Sequence, residues 1–156
     1  MKKIFSVLML LAFFVTAQAQ KEKVKLEYDK KTGIVSTETE PVFKVLEEKS
    51  AQLPSAKDYT IQNLEGKNLF ILAWNDFEDA RERSQSNPNG RVIYYEVTFL
   101  NEKKDKVEIA YNTFMNIMKL IYRSDLIKDG KLNPEAVELF VIKNGNKFGV
   151  QRENAR

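Results

Sequence analysis

The sequence predicts an α+β protein, in which an antiparallel sheet of about five to seven strands between residues 23 and 110 is followed by two C-terminal helices packed on one face of the sheet. Two runs, Tyr59–Trp74 and Arg91–Leu100, are rich in the β-branched and aromatic residues that suit a pleated sheet. Helical spacing of apolar residues begins only after these runs. Because strands come first and helices last, the order argues against a βαβ fold.

The start of the chain predicts a secretory signal peptide over residues 1–19. Basic residues precede the uncharged apolar run Ile4–Val15, and small residues then occupy the positions that signal peptidase reads, so cleavage is expected between Ala19 and Gln20. A membrane anchor is the alternative, but the apolar run is shorter than the roughly 20 residues that span a bilayer. No cysteine follows the cleavage site, so a lipoprotein anchor is not expected. The protein is therefore expected to be exported, to the periplasm or to the cell exterior.

The chain from residue 20 to residue 151 is predicted to form one globular domain, and residues 152–156 are expected to be a disordered tail. The sequence contains no cysteine, which excludes disulfides and thiol chemistry. Lysines and glutamates are interspersed along the chain, so no basic stripe indicates binding to nucleic acid or to anionic lipid. No apolar run after the signal peptide approaches the length of a membrane span.

Three short strands are expected before the central runs. Apolar and charged residues alternate over Val24–Tyr28, and Gly33 marks the turn that follows. Pro41 lacks a backbone donor, so a break or a sheet edge is expected there. The three predicted strands are Val24–Tyr28, Ile34–Thr39 and Val42–Leu46, and Glu47–Asp58 is expected to be a connection.

The central runs are predicted to form the middle of the sheet. A turn at Glu65-Gly66 divides Tyr59–Trp74 into a hairpin, and both pleat faces of Asn68–Trp74 are apolar, so this strand is expected to be covered on both sides. The polar segment Asn75–Gly90 is predicted to be a loop. The remaining strands are a half-buried one over Arg91–Leu100 and a short one over Lys106–Ile109.

Two helices are predicted at the C-terminal end. Apolar residues at i, i+3, i+4 and i+7 predict a helix over Ala110–Ile127, with a polar stripe on its opposite side. Asn133-Pro134 is typical of a helix start, so Pro134–Lys143 is predicted to be the second helix. The alternative for this region is a hairpin of Leu139–Ile142 with Phe148–Gln151, turning at Asn144-Gly145.

The residue types restrict the possible chemistry. The sequence contains no histidine, which removes the serine and cysteine hydrolase triads, the usual zinc sites and the commonest general base. It also lacks the glycine-rich motifs that cradle phosphate groups, so no nucleotide and no other cofactor is predicted. Only carboxylate or lysine chemistry remains, and the sequence favours a protein that is not an enzyme.

The long polar loop is the strongest candidate for a functional segment, because unstructured connections longer than roughly 12–15 residues are uncommon and are often functional. Its carboxylates suggest a metal site as one alternative, but the calcium-loop pattern is absent and two arginines would neutralise the charge. A solvated loop with paired surface charges is the simpler interpretation. The aromatic residues Trp74, Tyr94 and Tyr95 suit either a binding surface or an ordinary strand. The candidate binding residues are Asp76, Phe77, Glu78, Asp79, Arg81, Arg83 and Tyr94.

These observations lead to three hypotheses about function. The first is an exported, non-catalytic module that binds a protein or a component of the cell envelope. The second is a carrier that holds an apolar small ligand between the sheet and the helix Ala110–Ile127. The third is a glycan hydrolase that uses a carboxylate pair such as Glu96 with Asp76, which requires that the two carboxylates lie within about 10 Å of each other.

Overall fold

The computed structural model describes residues 24–155, so the predicted signal peptide and its cleavage pair, Ala19 and Gln20, lie outside the described residues. Seven strands form one antiparallel sheet, in which every strand pairs with its neighbours in sequence. The α+β prediction, with a sheet followed by C-terminal helices, is confirmed. The strands are β1 (Glu27–Asp29), β2 (Ile34–Ser36), β3 (Pro41–Lys49), β4 (Lys57–Gln62), β5 (Asn68–Glu78), β6 (Arg91–Phe99) and β7 (Lys106–Ala110).

Glycines at two of the connections between consecutive strands help to produce this simple strand order. Gly33 connects β1 to β2 with a φ of 71°, and a Cβ atom there would lie 2.5 Å from the backbone oxygen of Val45. Gly90 precedes β6 with a φ of 69°, and a Cβ atom there would overlap the backbone oxygen of Asp79. Only glycine combines a positive φ with such close backbone contacts at no steric cost.

The two central strands are longer than predicted, and the loop between them is shorter. The prediction of a loop over Asn75–Gly90 is wrong at its start, because Asn75–Glu78 belongs to β5 and pairs with Arg91–Tyr94 of β6. The backbone of this segment forms hydrogen bonds with β6, so it is a strand although its side chains are mostly polar. The polar side chains indicate only that the segment lies near the end of the sheet. The remaining connection, residues 79–90, contains one 3-10 turn, Ala80–Glu82. Strand β3 also exceeds its predicted length, because its last residues pair with β4 although their side chains are exposed.

The helical region contains three helices instead of two. The first, α1, covers Phe114–Arg123, so the predicted range Ala110–Ile127 is too long at both ends. Ala110 belongs to β7, and a small hairpin of β8 (Ile127–Lys128) and β9 (Lys131–Leu132) follows the helix. The predicted second helix is confirmed as α2 (Pro134–Asn144).

The end of the described chain differs from both predictions made for it. Phe148–Asn154 forms a third helix, α3, so the alternative hairpin with Leu139–Ile142 is wrong. The same helix includes Arg152, where a disordered tail was expected to begin. A sequence of seven residues has little intrinsic helical stability, and α3 depends on contacts with the sheet that are described below.

One face of the sheet carries α1 and α2, as predicted. The ring of Phe140 in α2 packs against the ring of Phe99 in β6, with centroids 6.1 Å apart. The ring of Phe114 at the start of α1 packs against that of Tyr59 in β4, with centroids 5.1 Å apart. The space between the sheet and these helices is filled by apolar side chains that are almost completely buried, including Phe43, Ile61, Phe70, Leu72, Phe99, Ile117, Met118 and Leu126. Each such side chain stabilises the fold by about 1.5–3 kcal/mol relative to an exposed position.

The opposite face of the sheet carries α3. After α2 the chain passes around the edge strand β7, where the backbone N–H of Asn146 donates to the backbone oxygen of Glu108 at 2.9 Å. Phe148 then stacks on Tyr94 with ring centroids 5.1 Å apart, and the N–H of Gly149 donates to the Glu108 carboxylate at 2.9 Å. The expectation that Asn68–Trp74 is covered on both sides holds only in part, since Ile71 and Ala73 on this face are half-buried.

Within residues 24–155, no helix combines the length and the apolar character that a membrane crossing requires.

Candidate functional site

The predicted loop meets α3 around the carboxylate of Asp79. Although Asp79 follows β5 at the end of the sheet, its side chain is only 2% exposed. Its oxygens accept from the backbone N–H of Arg81 at 3.0 Å, from the Arg81 Nη2 at 2.7 Å and from the Gln151 Nε2 at 3.0 Å. The Asp79 carboxylate therefore caps the 3-10 turn and connects it to a helix that lies 72 residues later in the sequence.

These hydrogen bonds set the charge state of the site. The Arg81 guanidinium and the Arg81 backbone N–H, together with the Gln151 amide, hold the pKa of the Asp79 carboxyl well below its usual range. Asp79 raises the pKa of Arg81 in turn. Hydrogen bonds between charged groups are roughly twice as strong as neutral ones, so the bonds between Asp79 and Arg81 stabilise the turn at neutral pH.

A second acidic residue completes the contact between the turn and the helix. Gln151 donates through the same Nε2 atom to the Glu82 carboxylate at 3.2 Å. One amide of α3 thus bridges two carboxylates of the turn. The side chain of Glu82 stays exposed, so this bond is expected to stabilise the site less than the bond to the buried Asp79.

Three aromatic side chains pack between the sheet and α3 next to the site. Phe77 meets Tyr94 edge-on with ring centroids 6.3 Å apart, and Tyr94 stacks on Phe148. Tyr94 is only 3% exposed, and this burial raises the pKa of its hydroxyl, although a hydrogen bond to Arg152 acts in the opposite direction. Aromatic pairs in such geometries contribute about 0.5–1.5 kcal/mol beyond their burial, so this layer fixes the position of α3.

A surface groove of about 360 Å³ lies between the turn and the helix. We call it the turn–helix groove; its lining residues are Arg81, Glu82, Lys147, Val150, Gln151 and Asn154. Its volume is at the lower end of the range for ligand sites. Arg81 and Lys147 provide two positive charges and Glu82 one negative charge. Val150 is 54% exposed, so the groove also presents an aliphatic side chain to solvent.

Four of the seven candidate residues take part in this site, and three do not. Phe77, Asp79, Arg81 and Tyr94 belong to the turn–helix groove or to its support. Asp76 lies on the helix-covered side of β5, where it binds Arg91 at 2.6 Å. The Arg91 guanidinium lies 5.4 Å from the centre of the Trp74 ring. Glu78 and Arg83 are exposed and are absent from the groove lining.

The carboxylates of this region do not assemble a metal site. The oxygens of Asp79 already accept hydrogen bonds from Arg81 and Gln151, and Asp76 is paired with Arg91. Among residues 24–155, no group of three or more acidic side chains is placed to hold a metal ion.

Sequence reasoning missed the half of the site that α3 contributes. Phe148, Gln151 and Arg152 share one side of a helix at spacings of three and four, and this pattern is the signal that could have indicated the helix. The segment is too short for periodicity alone to identify it, and its position on the sheet depends on Glu108, which is distant in sequence.

Comparisons with protein-family models, with curated proteins and with solved structures give no match for this chain.

Proposed function

We propose that this protein is an exported, non-catalytic module that binds a protein or a component of the cell envelope through the turn–helix groove. Export is inferred from the signal-peptide pattern that ends at Ala19. The observation that carries the binding proposal is the bridge from Gln151 to Asp79 and Glu82, because it holds an exposed groove in one shape before any partner arrives. Such preorganisation reduces the entropic cost of binding.

The chemistry of the groove supports binding more than catalysis. The sequence has no histidine or cysteine, and Asp79, the one buried carboxylate among residues 24–155, is engaged by Arg81 and Gln151. A carboxylate that accepts strong hydrogen bonds and has a strongly lowered pKa is a poor general base. The cation of Lys147 and the aliphatic side chain of Val150 line the same groove, which suits a partner surface that combines acidic and apolar groups.

The two alternative functions have less support. In the hydrolase hypothesis Asp76 and Glu96 act together. The strand partner of Glu96 is Ala73, which is three residues before Asp76 in β5. Because side chains alternate between faces along a strand, the two carboxylates lie on different faces of the sheet. In the carrier hypothesis a ligand lies between the sheet and α1, but that interior is already filled by buried side chains such as Phe70, Leu72 and Met118.

Site-specific photo-crosslinking in the native cells tests the proposal. A benzophenone amino acid replaces Val150 in the groove and, as a matched control, Leu139, an aliphatic residue of α2 that is 66% exposed. Both positions lie on helix surfaces, so the two variants differ mainly in which surface carries the probe. We expect a defined adduct from position 150 that is absent from position 139.

A charge-reversal pair completes this test. Lys147→Glu is expected to reduce the adduct at position 150 several-fold, whereas Lys143→Glu at the end of α2 leaves it unchanged. Adducts of equal yield and identity at positions 150 and 139, or no adduct at position 150, would contradict the proposal. Fractionation of the cells tests export separately: the protein is expected outside the cytoplasm and without residues 1–19.

A further inference from the structure

The edge strand β7 leaves part of its backbone without a partner. In the ladder with β6, the backbone N–H of Phe99 donates to the backbone oxygen of Asp105, and the N–H of Tyr111 donates to the backbone oxygen of Ile93. The backbone groups of the odd-numbered residues of β7 therefore face β6, and the N–H and C=O groups of the even-numbered residues point away from the sheet. The Glu108 oxygen accepts from Asn146. Ala110 is exposed, and no other described segment pairs with the outer side of its backbone.

A second groove, with a volume of about 320 Å³, adjoins this open backbone. We call it the edge groove; it lies between the end of β7 and one side of α1, and it shares no residue with the turn–helix groove. Its lining includes three apolar side chains: Leu120 is only partly buried, whereas Ile109 and Ile117 are almost completely buried. The complete lining is Ile109, Ala110, Asn112, Asn116, Ile117, Lys119, Leu120 and Arg123.

The rim of the edge groove offers polar groups that are not used within the fold. The Asn112 Oδ1 accepts from the Asn116 Nδ2 at 2.8 Å and from the Thr113 N–H at 2.8 Å. This arrangement leaves the amide donor of Asn112 and the amide oxygen of Asn116 directed outward from the pair. Lys119 makes no ion pair or hydrogen bond with the rest of the described chain.

Lys119 gives the edge groove a positive charge. None of its described lining residues carries a carboxylate. An unpaired ammonium beside an apolar side chain attracts a carboxylate that arrives together with an aliphatic group. Open backbone groups at a sheet edge bind an extended chain, which supplies the complementary N–H and C=O groups.

We propose that the edge groove binds an extended peptide segment of a partner protein that presents a carboxylate next to an aliphatic side chain. The peptide backbone pairs with Ala110, the aliphatic side chain packs against Leu120, and the carboxylate binds the Lys119 ammonium. This site is independent of the turn–helix groove, so the two proposals succeed or fail separately.

Selection from random heptapeptide libraries tests the proposal. The purified protein is used to select peptides from two libraries, one with free C-termini and one in which the peptide is internal, which distinguishes a terminal carboxylate from an acidic side chain. We expect the selected peptides to combine an acidic group with an aliphatic residue. Their binding is expected to perturb the backbone amide of Ala110 and the side-chain amides of Asn112 and Asn116 in NMR spectra.

Charge variants locate the binding site. Lys119→Glu is expected to weaken the selected peptides about tenfold or more, and Lys119→Gln to weaken them less, whereas Lys131→Glu on the exposed strand β9 changes affinity less than about twofold. Circular dichroism confirms that each variant is folded. The proposal is overturned if neither library yields a binder, if Lys119→Glu and Lys131→Glu have equal effects, or if the NMR changes centre on Gln151 in the turn–helix groove.

Discussion

Two neighbouring rows of the same sheet show how differently its two faces are used. On the face under α1 and α2, one row consists of Val45, Ile61, Phe70 and Phe99, all of which are at most 2% exposed. The adjacent row on the other face consists of Leu46, Thr60, Ile71 and Thr98. Leu46 in that row is 46% exposed. The strands are the same in both rows, so the difference lies in the side chains that each face carries and in what covers them.

The covered face provides most of the stability of the fold, whereas the candidate binding groove lies on the other face. The covered face stabilises the folded state mainly by burying apolar area. Each Å² of buried apolar surface contributes roughly 25 cal/mol, and this contribution does not depend on the details of hydrogen bonding. On the other face α3 is held by one aromatic stack and a few hydrogen bonds to Glu108, Asp79 and Glu82. The turn–helix groove therefore lies where the fold depends less on apolar burial, and we expect changes there to have little effect on the rest of the domain.

The largest expected effect concerns the covered face. Phe70→Ala removes a fully buried ring and is expected to lower the free energy of unfolding by about 3–5 kcal/mol, because the cavity that remains cannot collapse completely. Ile71→Ala, the next residue on the opposite face, is expected to cost about 1–2 kcal/mol, since Ile71 is only half-buried. Urea denaturation of both variants measures the contrast. Equal losses for the two variants would show that the two faces contribute alike.

An intermediate, local effect is expected at the site. Asp79→Ala removes the acceptor of Arg81 and Gln151, so the backbone amides of α3 are expected to exchange with solvent about tenfold faster, while those of α1 are unchanged. Glu82→Ala removes the exposed acceptor of the same Gln151 amide and serves as the matched control, with a smaller change. Hydrogen exchange followed by NMR measures both. If α1 and α3 respond equally to Asp79→Ala, the site and the core unfold as one unit.

The smallest expected effect is an alkaline titration at the rim of the covered face. Burial, together with the hydrogen bond to Glu47 at 3.0 Å, raises the pKa of Tyr28 to about 12. The folded protein therefore keeps this proton to a higher pH than the unfolded chain does. The resulting stabilisation is complete below the ordinary tyrosine pKa of about 10 and is lost as the pH rises towards 12.

The difference between the ultraviolet absorbance titrations of the wild-type protein and Tyr28→Phe isolates this tyrosine. A transition near pH 10 in that difference, in place of one near pH 12, would contradict the assigned environment. The same comparison at high salt is expected to give almost the same value, because burial is the largest cause of the shift.

Much of the architecture could be predicted because it depends on local patterns. The strand order follows from turns that the sequence marks, and the start of α2 follows from Asn133-Pro134, where the Asn133 side chain accepts from the Ala136 N–H. The part of the site that could be predicted is also local: Asp79 and Arg81 are two residues apart in sequence. Asp76 and Glu78 belong to the same predicted group although they lie outside the site, because polarity alone does not tell which face of a strand a side chain occupies. Arg83 follows the 3-10 turn, and its charge alone does not tell that its side chain stays outside the groove.

The sequence by itself determined the class of the fold, the sheet and its two main helices, because alternation, turn residues and an apolar helical stripe each act over a few neighbouring residues. The tertiary structure alone decided that Asn75–Glu78 is strand and that Phe148–Asn154 is a helix on the opposite face. Both outcomes depend on partners far along the chain, namely β6 for the first and Glu108, Asp79 and Tyr94 for the second. Short segments have too little intrinsic preference to set their own conformation, so the surface onto which they pack sets it.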